Sequence, residues 1–105
     1  MAADQPGTTM RLDRFLWFVR VTKKREWAQA MAEAGTLRID GRRIERAAAS
    51  VRVGDTLTFA DHAGRVRVIR VLALPDRRGP ASEARSCYAD LSGGNENVSQ
   101  EGASD

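Results

Sequence analysis

The sequence predicts an α+β fold: two N-terminal helices packed on a small, mainly antiparallel sheet of about four strands, followed by a short C-terminal helix. Three observations support it. Apolar residues recur at helical spacing near the start of the chain, strand-like alternation begins at Leu37, and Gly-containing turn signals separate the alternating stretches. With 105 residues, 42% of them apolar, we expect one globular domain over residues 10–91.

The first helix is predicted to follow a flexible lead over residues 1–9. One apolar stripe at i, i+3, i+4 and i+7 defines this helix: Leu12, Phe15, Leu16 and Val19. Three arginines project away from the stripe: Arg11, Arg14 and Arg20. We expect Thr8 or Thr9 to cap the helix, and Asp13 to favour its dipole from the first turn.

A second helix is predicted over about residues 25–34, after a break in which Thr22 is the candidate cap. Its inward positions are Ala28, Met31 and Ala32, and Trp27 lies near the edge of this face. Gly35 should end the helix in the left-handed conformation.

The rest of the domain is predicted to be strands joined by turns. Leu37 and Ile39 alternate with Arg38, and Asp40-Gly41 is a two-residue hairpin signal. Further extended stretches begin at residues 51, 57 and 65, and the shift in alternation at Val68 indicates a bulge or burial of both strand faces. A short helix is expected over residues 81–91, followed by a disordered, acidic, Gly/Ser-rich tail over residues 92–105.

The positive charge is concentrated in the predicted folded part. Residues 10–80 hold 16 of the 17 Lys and Arg residues and 8 of the 14 Asp and Glu residues, a net charge of +8, whereas residues 81–105 carry −4. Such a domain attracts polyanions, nucleic acid above all. Arg outnumbers Lys 15 to 2, which suits phosphate recognition, although codon bias in a GC-rich genome would produce the same ratio.

The most specific candidate site is the basic start of the second helix, Lys23-Lys24-Arg25. Free backbone N–H groups and the positive end of the helix dipole meet there, so phosphate fits the place. Three cations oppose the dipole, and a helix start under selection for stability alone would favour acidic residues. We therefore expect binding here rather than a merely solvated face.

Other cations and aromatic residues flank this site. Arg42 and Arg43 follow the hairpin turn, where they could reach along a nucleic-acid backbone or serve only solubility. Trp17 and Trp27 lie beside the basic faces. Packing at the core edge is the favoured interpretation for both, over stacking on unpaired bases.

The sequence gives little support for catalysis or cofactors. His62 is the single histidine and Cys87 the single cysteine, so neither a metal set nor an intrachain disulfide is expected. No nucleophile elbow, phosphate-binding loop or paired-carboxylate motif is present. No run of 18 apolar residues exists, and the acidic N-terminus does not resemble a secretory signal, so we expect a cytoplasmic protein.

Several of these motifs resemble a known RNA-binding domain. They are R-L-D-R-F-L from Arg11, A-x-x-M-A-x-x-G-x-L-R-I-D-G-R-x-I from Ala28, and V-x-V-G-D-T-L from Val51. This pattern is similar to the small domain named after the fourth small-subunit ribosomal protein, the αL-type RNA-binding motif. The resemblance implies a helix–helix–hairpin unit that docks on structured RNA.

The C-terminal part resembles the bacterial fifteen-kilodalton heat-shock protein family, through R-V-R-V-I-R-V-L-A-L and, from Arg77 to Tyr88, R-R-G-P-A-S-E-A-R-S-C-Y. That resemblance implies association with large ribosomal subunits that carry a stalled nascent chain on transfer RNA. Three features depart from the pattern: Lys24 replaces a Ser or Thr before the second helix, Asp40 replaces Asn in the turn, and the tail is acidic.

Together, the residues and the resemblance predict a non-catalytic, monomeric protein that binds ribosomal RNA of the large subunit, with peptidyl-transfer RNA as a further partner and no membrane association. The predicted phosphate contacts are Arg11, Arg14, Arg20, Lys23, Lys24, Arg25, Arg38, Arg42 and Arg43, with Arg77 and Arg78 as a second contact. Two alternatives stay open: a helix-turn-helix reader of duplex DNA, and an RNA-binding accessory subunit of a modifying enzyme.

Overall fold

The computed structural model describes residues 8–61 and 63–91. Its helices are α1 (Leu12–Phe18), α2 (Arg25–Glu33) and α3 (Ala81–Arg85). Its strands are β1 (Met10–Arg11), β2 (Leu37–Ile39), β3 (Arg42–Ile44), β4 (Ser50–Val51), β5 (Thr56–Ala60), β6 (Val66–Val71) and β7 (Tyr88–Asp90). The predicted α+β class with a short C-terminal helix is confirmed. Most of the predicted lead, His62 and the predicted tail lie outside the described residues.

The main sheet has five antiparallel strands in the order β3-β2-β5-β6-β7. The fifth strand, β7, comes from the segment expected to be wholly helical: the chain turns at Cys87, whose carbonyl accepts hydrogen bonds from the N–H groups of Leu72 and Ala73. The pairing of β5 with β6 is continuous through Thr58–Val68 and Leu57–Ile69, so the shift in alternation marks no bulge.

A separate two-stranded pair, β1 with β4, determines where α1 begins. The N–H groups of Leu12 and Asp13 donate to the carbonyls of Ala49 (2.8 Å) and Ala47 (3.1 Å). These bonds satisfy the first orphan donors of the helix, so no side chain caps it. The expected cap by Thr8 or Thr9 is wrong, because a segment distant in sequence supplies the acceptors.

Side chains from both predicted helix faces and from the main sheet form one hydrophobic core. The predicted stripe of α1 is at most 2% exposed, and Ala28 and Ala32 of α2 are fully buried. The sheet contributes its own buried set: Leu37, Leu57, Phe59, Ile69 and Val71. Apolar side chains at these positions hold the helix pair in place chiefly by burial from water.

The segment between the helices has an unusual backbone for its sequence. Arg20 ends α1 with a φ of 64°, a left-handed conformation that non-glycine residues adopt at some cost. The Val21 N–H returns to the carbonyl of Leu16 at 3.0 Å. Gly35, with a φ of 81°, follows α2 as predicted. Within the described residues, no helix is long and apolar enough to cross a bilayer.

Candidate nucleic-acid interface

The basic loop, residues 20–25, presents its cations at the start of α2. Lys23, Lys24 and Arg25 are all exposed, and no side chain caps the helix there. Thr22, the candidate cap, is buried and donates its hydroxyl hydrogen bond to the Lys24 carbonyl at 3.0 Å, so the expectation that it caps α2 is wrong. Three positive side chains are therefore exposed at the first turn of α2, which suits an anionic ligand.

Residues 78–79, just before α3, form hydrogen bonds with the basic loop and the end of α1. The Arg78 guanidinium donates from Nε to the Trp17 carbonyl (3.1 Å) and from Nη2 to the Thr22 carbonyl (3.3 Å). In return, Arg20 donates from Nε to the Gly79 carbonyl at 2.6 Å. These reciprocal bonds connect the end of α1, the loop and residues 78–79, so the shape of the loop depends on a segment far away in sequence.

The two arginines predicted as a second contact differ in their surroundings. Arg78 is half-buried and bonded within the molecule, so the geometry does not support a phosphate contact for it. Arg77 is exposed and forms an ion pair with Glu83 at 2.8 Å, which a phosphate would have to displace. Exposed pairs of this kind contribute little to stability, so Arg77 can exchange partners at low cost.

At the start of α1, Arg11 is bound to a buried carboxylate and Arg14 points to solvent. Arg11 forms a two-pronged contact with Asp13, each N···O distance being 3.0 Å. Burial alone would raise the pKa of Asp13, but the bonds and charge of Arg11, with the N–H of Arg14 and the Gln29 side chain, lower it overall. Among the described residues Arg14 has no side-chain partner, so it is the cation better placed to meet phosphate.

The hairpin of β2 and β3 carries a second group of arginines. The predicted Asp40-Gly41 turn is present, with a positive φ at both residues. Arg38 lies opposite Arg43 in the ladder and donates to the Gly41 carbonyl at 3.3 Å, while Arg43 forms an exposed ion pair with Glu45 at 3.2 Å. Like charges directly opposite each other are unfavourable, and a bound polyanion would relieve that cost.

Sequence reasoning missed two cations beside this hairpin. Arg46 and Arg52 line one groove together with Arg42. The folded chain brings these residues to the same groove as Ile39 and Ile44 of the hairpin, and no local pattern signals it. Two acids share the groove: burial first, and then the neighbouring Asp40, raise the pKa of Asp55. The groove is therefore of mixed charge, unlike the basic loop.

The two tryptophans have different environments. Trp17 is half-buried against Phe18 with the Arg78 guanidinium over its ring, as the packing interpretation predicted. Trp27 is 37% exposed, and the Lys24 ammonium lies 5.5 Å from its ring centre.

In residues 8–61 and 63–91 no group of acidic, His or Cys side chains could hold a metal ion. Burial raises the pKa of the Cys87 thiol, so this thiol stays protonated.

Comparison with known proteins gives a consistent group of relatives. No protein-family model matches the chain. It is 33% identical over 87 residues to heat shock protein 15 of Escherichia coli K12. This alignment covers 83% of the chain and 64% of the Escherichia coli protein. A heat shock protein 15 homolog of Haemophilus influenzae is 33% identical over 81 residues, which covers 77% of this chain and 60% of that protein. The chain thus spans less than two thirds of these curated relatives.

A solved structure of similar fold comes from the same group. The trimeric structure of Vibrio cholerae heat shock protein 15 superposes with a TM-score of 0.70 at 31% identity, covering 79% of this chain and 82% of that one. The Vibrio cholerae protein is thus described as a trimer, whereas the sequence of the present chain led us to expect a monomer.

Proposed function

The chain belongs to the heat shock protein 15 family, and on this premise we propose that it is a non-catalytic RNA-binding protein that acts on ribosomal RNA of the large subunit. The observation that carries the proposal is the basic loop: three exposed cations at the uncapped start of α2, where a helix would not place them for stability. We further propose that it acts in the cytoplasm on subunits that carry a stalled nascent chain on transfer RNA.

Phosphate contacts provide the affinity in this proposal. Lys23, Lys24 and Arg25 form the centre. Other exposed cations in β1, α1, the basic loop and the hairpin extend it: Arg11, Arg14, Arg20, Arg38, Arg42 and Arg43. Arg77 joins only if it leaves Glu83. About five contacts to RNA imply a log–log slope of affinity against salt of roughly −3 to −4.

The first test is a salt titration with a structured fragment of large-subunit ribosomal RNA. A steep loss of affinity with salt supports the phosphate mechanism, and an affinity that barely changes contradicts it. Duplex DNA of equal length is the competitor. Preference for the DNA would favour the helix-turn-helix alternative over the RNA-binding proposal.

The second test identifies the ribosomal partner. Purified protein is sedimented with free large subunits, free small subunits and whole ribosomes. Co-sedimentation with the large subunit is expected, with enrichment when peptidyl-transfer RNA is present. Recovery with small subunits alone would contradict the proposed partner.

We also propose self-association in place of the expected monomer, because a relative is described as a trimer. Light scattering over a range of concentrations tests it against the chain mass of 11.5 kDa. A mass equal to that of one chain at every concentration would contradict self-association and support the monomer predicted from the sequence.

A further inference from the structure

A groove of about 630 Å³ lies between α2 and the end of β5, beside the basic loop. Its apolar side is formed by Val21, Trp27, Ala30 and Met31, and its cationic side by Arg20 and Lys23. The volume falls within the roughly 300–1,000 Å³ typical of small-molecule sites. The groove therefore combines an aromatic surface with positive charge in one concave place.

Trp27 is an aromatic residue that lines this groove and lies outside the core. The buried positions of α2 are Ala28 and Ala32, and Trp27 is neither in the core nor among the side chains packed against it. It leaves 37% of its surface exposed. A large ring exposed on a basic surface is typical of a stacking platform for unpaired bases.

The charges around the groove match the two ends of a nucleotide. Lys23 and Arg20 are exposed cations on the loop side, suited to a phosphate. Asp61 also lines the groove, and its Oδ1 accepts hydrogen bonds from the N–H groups of Ala63 and Arg65 at 2.9 Å each. A carboxylate repels phosphate and accepts hydrogen bonds from the amino group of a base, so the groove offers an acceptor as well as cations.

We propose that this groove takes one unpaired nucleotide of the bound RNA, with its base on the Trp27 ring and its phosphate beside Lys23. The inference rests on the proposed RNA binding and deepens it, because it states which feature of the RNA is selected. A fully paired helix would contact the cations alone, whereas a helix with an extruded nucleotide would also fill the groove.

The test compares three RNA hairpins that share one stem and loop sequence: one fully paired, one with an added single-nucleotide bulge, and one with an abasic nucleotide in that bulge. Affinity is measured by fluorescence anisotropy at one fixed salt concentration. The unmodified protein should bind the bulged hairpin about tenfold more tightly than the other two, within the range measured for base–aromatic stacking. The abasic probe retains the phosphate and the backbone kink, so it isolates the contribution of the base.

Trp27→Ala should remove this preference, so that the three hairpins bind with equal affinity, whereas Trp27→Phe should retain most of it. Leu72→Ala is the matched control, because Leu72 is also a large exposed apolar residue (49%) and does not line the groove. In a Trp17→Phe background, the fluorescence of Trp27 should be quenched by the bulged hairpin and not by the abasic one, which tests the contact without deleting it.

The outcomes separate the inference from the proposed function. Equal affinity for the three hairpins, or a preference that persists in Trp27→Ala, overturns the nucleotide site while RNA binding stands. Absence of binding to all three hairpins overturns RNA binding and the site with it.

Discussion

The guanidinium of Arg78 lies over the ring of Trp17, 5.6 Å from its centre, and its nitrogens donate to two carbonyls of the α1–α2 corner. Arg78, which precedes α3, thereby forms hydrogen bonds that connect it to the loop carrying the basic site. From these contacts we expect Arg78 to position Lys23 and its neighbours rather than to contact phosphate itself.

Arg78→Ala should lower the free energy of unfolding by about 1–3 kcal/mol, since the Thr22 carbonyl loses its Arg78 donor and the Trp17 carbonyl keeps only the Arg20 N–H. It should weaken RNA binding while leaving the slope of affinity against salt unchanged, because no phosphate contact is lost. Urea denaturation and a salt titration measure both effects. If Arg78 contacted phosphate, the slope would instead become shallower by about 0.7. Arg77→Ala, which removes only an exposed ion pair, is the control for stability.

Replacing Lys23, Lys24 and Arg25 together by Glu should lower RNA affinity by on the order of 100-fold or more, because attraction to phosphate becomes repulsion. The fold should persist, since all three side chains are exposed. Filter binding and circular dichroism measure the two properties. A charge-matched control places Glu at Arg65, Arg70 and Arg85, which are exposed elsewhere. Equal losses in both triple variants would mean that net charge, and not the basic loop, determines binding.

Asp13→Asn should make stability less dependent on pH in the acid range. The pKa of Asp13 is lowered in the folded protein, so its contribution is complete above the unfolded value of about 4 and is lost as the pH falls through the lower folded value. At neutral pH the variant should lose about 1–3 kcal/mol, because Arg11 and the Arg14 N–H lose a charged acceptor. Midpoints of urea denaturation, measured from about pH 3 to about pH 7 for both proteins, give the difference in the pH dependence of stability. Parallel pH curves for the two proteins would contradict it.

Asp40→Asn and Asp40→Ala should have opposite effects on stability. Asp40 accepts the Thr56 N–H at 2.9 Å from a left-handed conformation, with a φ of 52°. Asn keeps the acceptor and tolerates that conformation, and it removes the charge that raises the pKa of Asp55, so a gain of about 0.5 kcal/mol at neutral pH is expected. Ala loses the acceptor and adds strain, at a cost of about 1–2 kcal/mol.

The Asp55 titration gives the same prediction a second readout. Its raised pKa means that the wild-type fold gains stability as the pH falls through that pKa, and Asp40→Asn should reduce this gain. NMR titration of the Asp55 carboxyl should show a lower pKa in the Asn variant. An unchanged Asp55 pKa would indicate that burial alone causes the shift.

Local pattern was sufficient for much of the fold. The α1 stripe, the end of α2 at Gly35 and the Asp40-Gly41 hairpin follow from periodicity and turn chemistry, and the structure confirms each. The same local reasoning failed at the cap of α1 and at β7, because the partners, Ala47 and Ala49 for α1 and β6 for β7, lie far away in sequence. It also failed at the cap of α2, where the Thr22 hydroxyl donates to the nearby Lys24 carbonyl instead.

The sequence by itself determined the helix faces, the hairpin turn and the concentration of cations at Lys23–Arg25, because these depend on residues within a few positions of one another. Only the tertiary structure decided which arginines remain available. Arg78 lies over the Trp17 ring and donates to part-buried carbonyls, whereas Arg77 pairs with Glu83 in solvent. A charge in a sequence shows its sign, but its freedom to bind depends on the acceptors that folding brings within hydrogen-bonding distance.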